Sequence, residues 1–137
     1  MKTYFSALVL LIAILIAGCQ SKPISGQMVN LPNGSYRNIT ADELNRMSKD
    51  KDFTLINVHI PFVGNIPGTD LSIPYDQIEN SLAQLPTDKN TKIVLYCRSG
   101  HMSKIAAEKL VSLGYSNVWN LSAGMVDWEK AGYQIQK

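Results

Sequence analysis

Lys92-Ile93-Val94-Leu95-Tyr96-Cys97-Arg98-Ser99-Gly100-His101-Met102-Ser103 reads as a buried strand ending on a cysteine, then a tight polar loop, then the start of a helix. The run up to Tyr96 has the apolar, β-branched character of a strand. From Ser103 the period changes: Ile105, Ala106, Leu110 and Leu113 recur at helical spacing, and Gly114 supplies a C-terminal cap. Propensity puts Ser103 at the N-cap of that helix. A thiol at this junction faces backbone N–H groups without helical partners and the positive end of the helix dipole, and both favour the thiolate. Cys97 is therefore the candidate nucleophile. The alternative is an inert, buried cysteine, and the polar loop beside it argues against that. Gly100 lets the amides from Arg98 to Ser103 curl into a nest for an anion. Arg98 adds a fixed positive charge, and Ser99 and Ser103 carry hydroxyls within reach of sulfur.

Working outward, Tyr115–Asn120 reads as a further strand, Leu121-Ser122-Ala123-Gly124 as a turn, and Met125–Ala131 as a last helix stopped by Gly132. Upstream, Phe53–Val58 is a buried strand, and the Pro- and Gly-rich run His59–Pro74 is a loop long enough to carry function. Gln77–Leu85 forms a short amphipathic helix with Ile78, Leu82 and Leu85 on one face, closed by Pro86. Ser35–Asn38 is a short strand, and Thr40-Ala41-Asp42-Glu43 is a capping box opening a helix to Lys49. Strands alternating with helices predict an α/β fold of three layers, a central parallel sheet with helices on both faces. His59 follows one strand as Cys97 follows another, so the two reach the same rim of the sheet, where ligands bind in such folds. His59 is thus a candidate partner for the thiolate or its leaving group, with a structural histidine as the competing reading.

The N-terminal eighteen residues have the pattern of a secretory leader: Lys2, then an uncharged apolar stretch from Tyr4 to Ala17. Ile16-Ala17-Gly18-Cys19 resembles a bacterial lipobox, which implies that Cys19 is lipidated and heads the mature chain. An uncleaved signal anchor is the alternative, although the stretch falls short of a span of roughly 17–25 residues. By the same resemblance, Gln20 and Ser21 argue against inner-membrane retention, which implies an exported chain anchored in the bacterial envelope, facing the periplasm where there are two membranes. The reading divides the chain into leader 1–18, tether 19–34 and one domain 35–137. Thirteen Lys and Arg stand against eleven Asp and Glu, with no basic stripe, so nucleic acid is not an expected partner. With Cys19 acylated, Cys97 has no cysteine to pair with, which points to chemistry rather than stapling.

Leu55-Ile56-Asn57-Val58, Ile66-Pro67-Gly68-Thr69, Ile73-Pro74, Tyr96-Cys97-Arg98-Ser99-Gly100, and Gly114-Tyr115-Ser116-Asn117-Val118 leading to Leu121-Ser122-Ala123-Gly124 and Trp128 occur in an order and spacing that resemble a single-domain rhodanese. The resemblance runs from Tyr36 to Tyr133. It implies a sulfurtransferase that takes a sulfane sulfur from thiosulfate, polysulfide or a persulfide and passes it to a thiol through a Cys97 persulfide. Arg98, Ser99, Gly100, His101, Met102, Ser103 and His59 are the expected substrate contacts. No cofactor is implied. Cys97, His59 and His101 lack the spacing of a metal motif, so no metal is expected. The chain also departs from the family's pattern. Asn57-Val58-His59 stands where Asp-Val-Arg is common, Gly64-Asn65-Ile66-Pro67-Gly68-Thr69 where Gly-His-Ile-Pro-Gly-Ala is common, and Met102 where many relatives have arginine. Ile60–Val63 is short and lacks the usual acidic residues. Two cationic anchors for a dianion are thereby lost. A rhodanese-related phosphatase needs a seven-residue phosphate loop closing on arginine, and the seventh position here is Ser103, which excludes that reading. A non-catalytic envelope module whose cysteine binds a partner or senses oxidants is the remaining alternative.

Overall fold

The computed structural model describes Gly18 and residues 21–137; the rest of the leader and the lipidation candidate Cys19 lie outside the described residues. The elements in order are β1 (Gln27–Leu31), β2 (Gly34–Ile39), α1 (Ala41–Ser48), β3 (Thr54–Asn57), β4 (Leu71–Ser72), a 3-10 segment (Glu79–Gln84), β5 (Ile93–Tyr96), α2 (His101–Ser112), β6 (Val118–Leu121) and α3 (Gly124–Lys130). The sheet order is β1-β2-β6-β5-β3-β4, parallel throughout except for the β1–β2 pair. It is a mixed sheet with helices on both faces. Alternate residues of each strand point to opposite faces. Ile56, Ile93, Leu95 and Val118 meet α2 and the residues flanking the 3-10 segment, Ile78 and Leu85, whereas Leu55, Val94, Tyr96, Trp119 and Leu121 meet α1 and α3.

Four expectations need correction. Gln27–Leu31, assigned to the tether, is strand β1, paired from Gln27↔Asn38 to Leu31↔Gly34. The Pro- and Gly-rich punctuation at 32–34 is its hairpin turn, and Val29 and Leu31 pack on the core. The domain therefore begins before residue 35. Residues ahead of β1 also touch it: Ile24 packs on the α1–α3 side, Arg37 Nη1 donates to the Ser25 carbonyl at 2.7 Å, and Arg46 Nη1 to the Lys22 carbonyl at 3.4 Å. The expected α-helix 77–85 is a kinked 3-10 segment in which Ser81 leaves helical geometry. Only its flanks, Ile78 and Leu85, reach the core, while Leu82 is 40% exposed. α2 buries Ser103, Ala106, Ala107, Leu110 and Val111, an i, i+3, i+4, i+7, i+8 stripe; Ile105 lies off that stripe and is 37% exposed. Finally, the loop 59–74 contributes the two-residue edge strand β4, paired with Ile56 and Asn57. The capping box at α1 forms as expected, with Thr40 Oγ1 accepting from the Glu43 amide at 3.2 Å and Glu43 Oε2 from the Thr40 amide at 2.9 Å.

Candidate active site around Cys97

Strand order decides where chemistry gathers. β5 continues through α2 to β6 on one side, while β3 continues to β4 on the other, so the connections diverge and leave a crevice at the carboxyl ends of β5 and β3. Cys97 follows β5 and His59 lies just past β3. The Val58 amide donates to the Tyr96 carbonyl at 2.9 Å, which carries the ladder one step beyond the strands and sets the two loops side by side.

Cys97 is 1% exposed. Its Sγ accepts a hydrogen bond from the Gly100 amide at 3.0 Å, so the loop turns back on the sulfur within three residues. Gly100 does this at φ 99°, a left-handed conformation that a side chain disfavours. α2 then opens at His101 without a side-chain cap. This corrects the placement of Ser103 at the N-cap: the cap is Gly100, three residues earlier, and Ser103 Oγ, buried inside the first turn, donates back to the Gly100 carbonyl at 3.3 Å. The donor to sulfur is thus backbone, rather than either serine hydroxyl. Arg98, Ser99 and His101 are exposed on the loop. Met102 is half-buried against the apolar cluster that contains Cys97.

The loop is fastened from behind. The Met125 amide donates to the Cys97 carbonyl at 2.9 Å and the Val126 amide to the Arg98 carbonyl at 3.0 Å. A Cβ on Gly124 would run into those same two carbonyls, and one on Gly100 would run into the Ser122 carbonyl. Two glycines therefore permit backbone to interlock with backbone, which explains why Leu121-Ser122-Ala123-Gly124 accompanies the cysteine loop.

A neutral network holds the other side. Asn57 Nδ2 donates to the Gly64 carbonyl at 3.0 Å and to Asn65 Oδ1 at 2.9 Å, while Asn57 Oδ1 accepts from the His59 amide at 3.0 Å. The Tyr96 hydroxyl donates to Asn65 Oδ1 at 3.2 Å, accepts from the Ile66 amide at 3.0 Å and lies 2.7 Å from Thr69 Oγ1. Burial pushes the Tyr96 phenol up, against the downward pull of the hydrogen bonds with Thr69 and Ile66, so it stays a neutral donor. The residue immediately before Cys97 is thereby tied to the loop after β3.

His59 is half-buried, and burial first, then the Arg98 guanidinium, holds its imidazole below the ordinary 6.5. Arg98 is thus near enough to His59 to act on its charge. Two recesses flank the rim. One, of about 200 Å³, is lined by Asn57, His59, Ile60, Phe62, Ser72, Ile73 and Pro74. The other, of about 360 Å³, is lined by Val63, Arg98, Met125, Glu129, Ile135 and Lys137, so Arg98 shares it with a second cation and with one carboxylate.

The model of the rhodanese-like domain family matches residues 40–131. The chain belongs to the rhodanese-like family. A sulfurtransferase of Allochromatium vinosum is 32% identical over 93 residues, covering 66% of this chain and 84% of that one. The thiosulfate sulfurtransferase/rhodanese-like domain-containing protein 3 of Mus musculus is 29% identical over 107 residues, 67% of this chain and 68% of the relative. Among solved structures, a rhodanese-related protein of Thermoplasma volcanium superposes with a TM-score of 0.62 at 29% identity, over 73% of this chain and 97% of that one. A rhodanese-like domain protein of Staphylococcus aureus gives 0.61 at 29%, over 73% and 98%. This rhodanese-like domain therefore has sulfurtransferases among its relatives, and its cysteine loop lies at the rim that strand order selects. Sequence reading missed the Asn57–Asn65–Tyr96 network, the brace from Met125 and Val126, and Lys137. The signal available for the first was a polar Asn57 ending an otherwise apolar strand.

Proposed function

We propose that the chain is a sulfurtransferase that carries sulfane sulfur on Cys97. The observation that carries this reading is the Cys97 sulfur held 3.0 Å from the Gly100 amide at the uncapped start of α2, where partial positive charge favours both a thiolate and a persulfide anion. In the first step the Cys97 thiolate attacks the outer sulfur of the donor. An S–S bond forms, the donor's own S–S bond to its outer sulfur breaks, and its remainder leaves with the electron pair: sulfite from thiosulfate, or a thiolate from a persulfide. In the second, an acceptor thiolate attacks the outer sulfur of the Cys97 persulfide, and Cys97 leaves as the thiolate. No net oxidation occurs and no cofactor is called for. Exposed Arg98 attracts an anionic donor.

Intact-protein mass after incubation with thiosulfate or inorganic tetrasulfide, before and after a reductant wash, tests this. A gain of one sulfur atom that the wash removes and that Cys97→Ser abolishes is the expected result. The burial of Cys97 favours a second reading, a non-catalytic binding or redox-sensing module. A sulfur that stays unmodified in both donors establishes that one instead. The leader pattern and Ile16-Ala17-Gly18-Cys19 support export and attachment to the cell envelope through a lipid on Cys19. Cys19→Ala in cells should accumulate unprocessed precursor, and normal processing in that variant would exclude the lipid.

A further inference from the structure

The 200 Å³ recess beside the site has a mostly apolar lining. Its walls are Ile60, Phe62, Ile73 and Pro74, with Asn57, His59 and Ser72 as the polar members, and among the described residues no Lys, Arg, Asp or Glu lines it. Asn57 is already engaged with Gly64, Asn65 and the His59 amide, so it offers little to a ligand. His59 is disposed to stay neutral by its burial. Phe62 stands at the mouth 60% exposed, a large aromatic left in water next to an apolar hollow.

The recess is also close to the sulfur. The Ile73 amide donates to the Asn57 carbonyl at 2.9 Å and the Tyr75 amide to the Val58 carbonyl at 3.0 Å, while the Val58 amide bonds Tyr96 at 2.9 Å. Val58 thus separates the segment 73–75 from the strand of Cys97, a distance of about two strand spacings, or roughly 10 Å. Val58, Ile73 and Cys97 belong to one apolar cluster. A group seated there lies about two strand spacings, roughly 10 Å, from the strand that carries Cys97.

We propose that this recess seats the apolar group of a low-molecular-weight organic persulfide, the sulfur donor, and so deepens the sulfurtransferase reading on which it rests. A dianion such as thiosulfate would surrender hydration there and find no cation in the walls, whereas an alkyl or aryl group gains by leaving water. The Cys97 thiolate attacks the outer sulfur of R–S–S–H, the Cys97 sulfur bonds to it, and the R–S–S bond breaks to release R–S⁻ while the proton stays on the new persulfide.

The test measures the rate of Cys97 persulfide formation from benzyl hydropersulfide and from inorganic tetrasulfide, in the wild type, in Phe62→Ser, which removes the apolar lip, and in Ser72→Leu, which fills the recess from its exposed edge. The wild type should favour the benzyl donor in kcat/KM, and both variants should lower the benzyl-to-tetrasulfide ratio by about tenfold. Loading of all three proteins with one unchanged ratio overturns the recess as the donor's seat and leaves Cys97 chemistry standing. Wild type that is loaded by neither donor overturns the sulfurtransferase reading itself.

Discussion

Asn57 and Asn65 are eight positions apart in sequence and one contact in space, 2.9 Å apart. Asn57 donates to both the Gly64 carbonyl and Asn65 Oδ1, which an ionised carboxylate is unable to do. Asn57→Asp alone should therefore set buried acceptors against each other and cost about 1–3 kcal/mol. Asn65→His together with it supplies a donor and should recover most of the loss, a coupling that urea unfolding of the two single variants and the double variant would measure. His59 gives a pH signature. Its imidazole lies below 6.5 in the fold, so the folded chain binds fewer protons there than the unfolded one, and stability falls as pH drops through 6.5 toward the lower folded value. His59→Gln should flatten that decline between about pH 7 and pH 5, followed by urea midpoints. Met102→Arg restores a cation at the end of the loop. It should lower the KM for thiosulfate by the equivalent of about 1.5–3 kcal/mol and leave an uncharged donor unaffected; a KM that stays put refutes this view of the loop.

At the scale of elements, the cysteine loop and the turn into α3 form one piece. Gly124 lies at φ 61° with its α-carbon against the Cys97 and Arg98 carbonyls, so Gly124→Ala should cost more than about 2 kcal/mol and slow persulfide formation. A thermal melt and the mass assay check the two effects. Local chemistry explains what was legible in the sequence. The α1 capping box, the strand before Cys97 and the glycine stops are decided within a few residues, and they stand where expected. The start of α2 was misjudged because Ser103 is a good cap by propensity, while the structure ends the loop on a left-handed Gly100 bonded to sulfur. Ile105 shares the apolar helical spacing of Ala106 and Leu110, yet burial follows the stripe that faces the sheet and leaves it outside. The brace on the loop joins residues more than twenty positions apart, and no local pattern signals it. β1 did have a signal, since Asn33-Gly34 is hairpin chemistry.

Considered as a whole molecule, the domain includes the hairpin that the sequence suggested as a leash. A chain shortened to begin at Ser21 should melt as the longer one does. Beginning at Ser35 removes β1 and the packing of Val29 and Leu31, which should cost about 2–4 kcal/mol and lower Tm by at least about 8 °C in a thermal melt. The path of the chain before β1 has a consequence for orientation. Gln27 pairs with Asn38 at the carboxyl end of β2, the end shared with Cys97, and the chain then doubles back until Arg46, in the second half of α1, holds the carbonyl of Lys22. Since α1 returns from the carboxyl pole of the sheet to the amino pole, Lys22 is held on the amino-pole side. With a lipid on Cys19, only two residues would lie between the bilayer anchor and the first docked carbonyl, and the six residues of β2 would raise the reactive rim about 20 Å above it. The sulfur would then look outward into the aqueous layer, meeting dissolved donors and acceptors instead of those dissolved in the lipid.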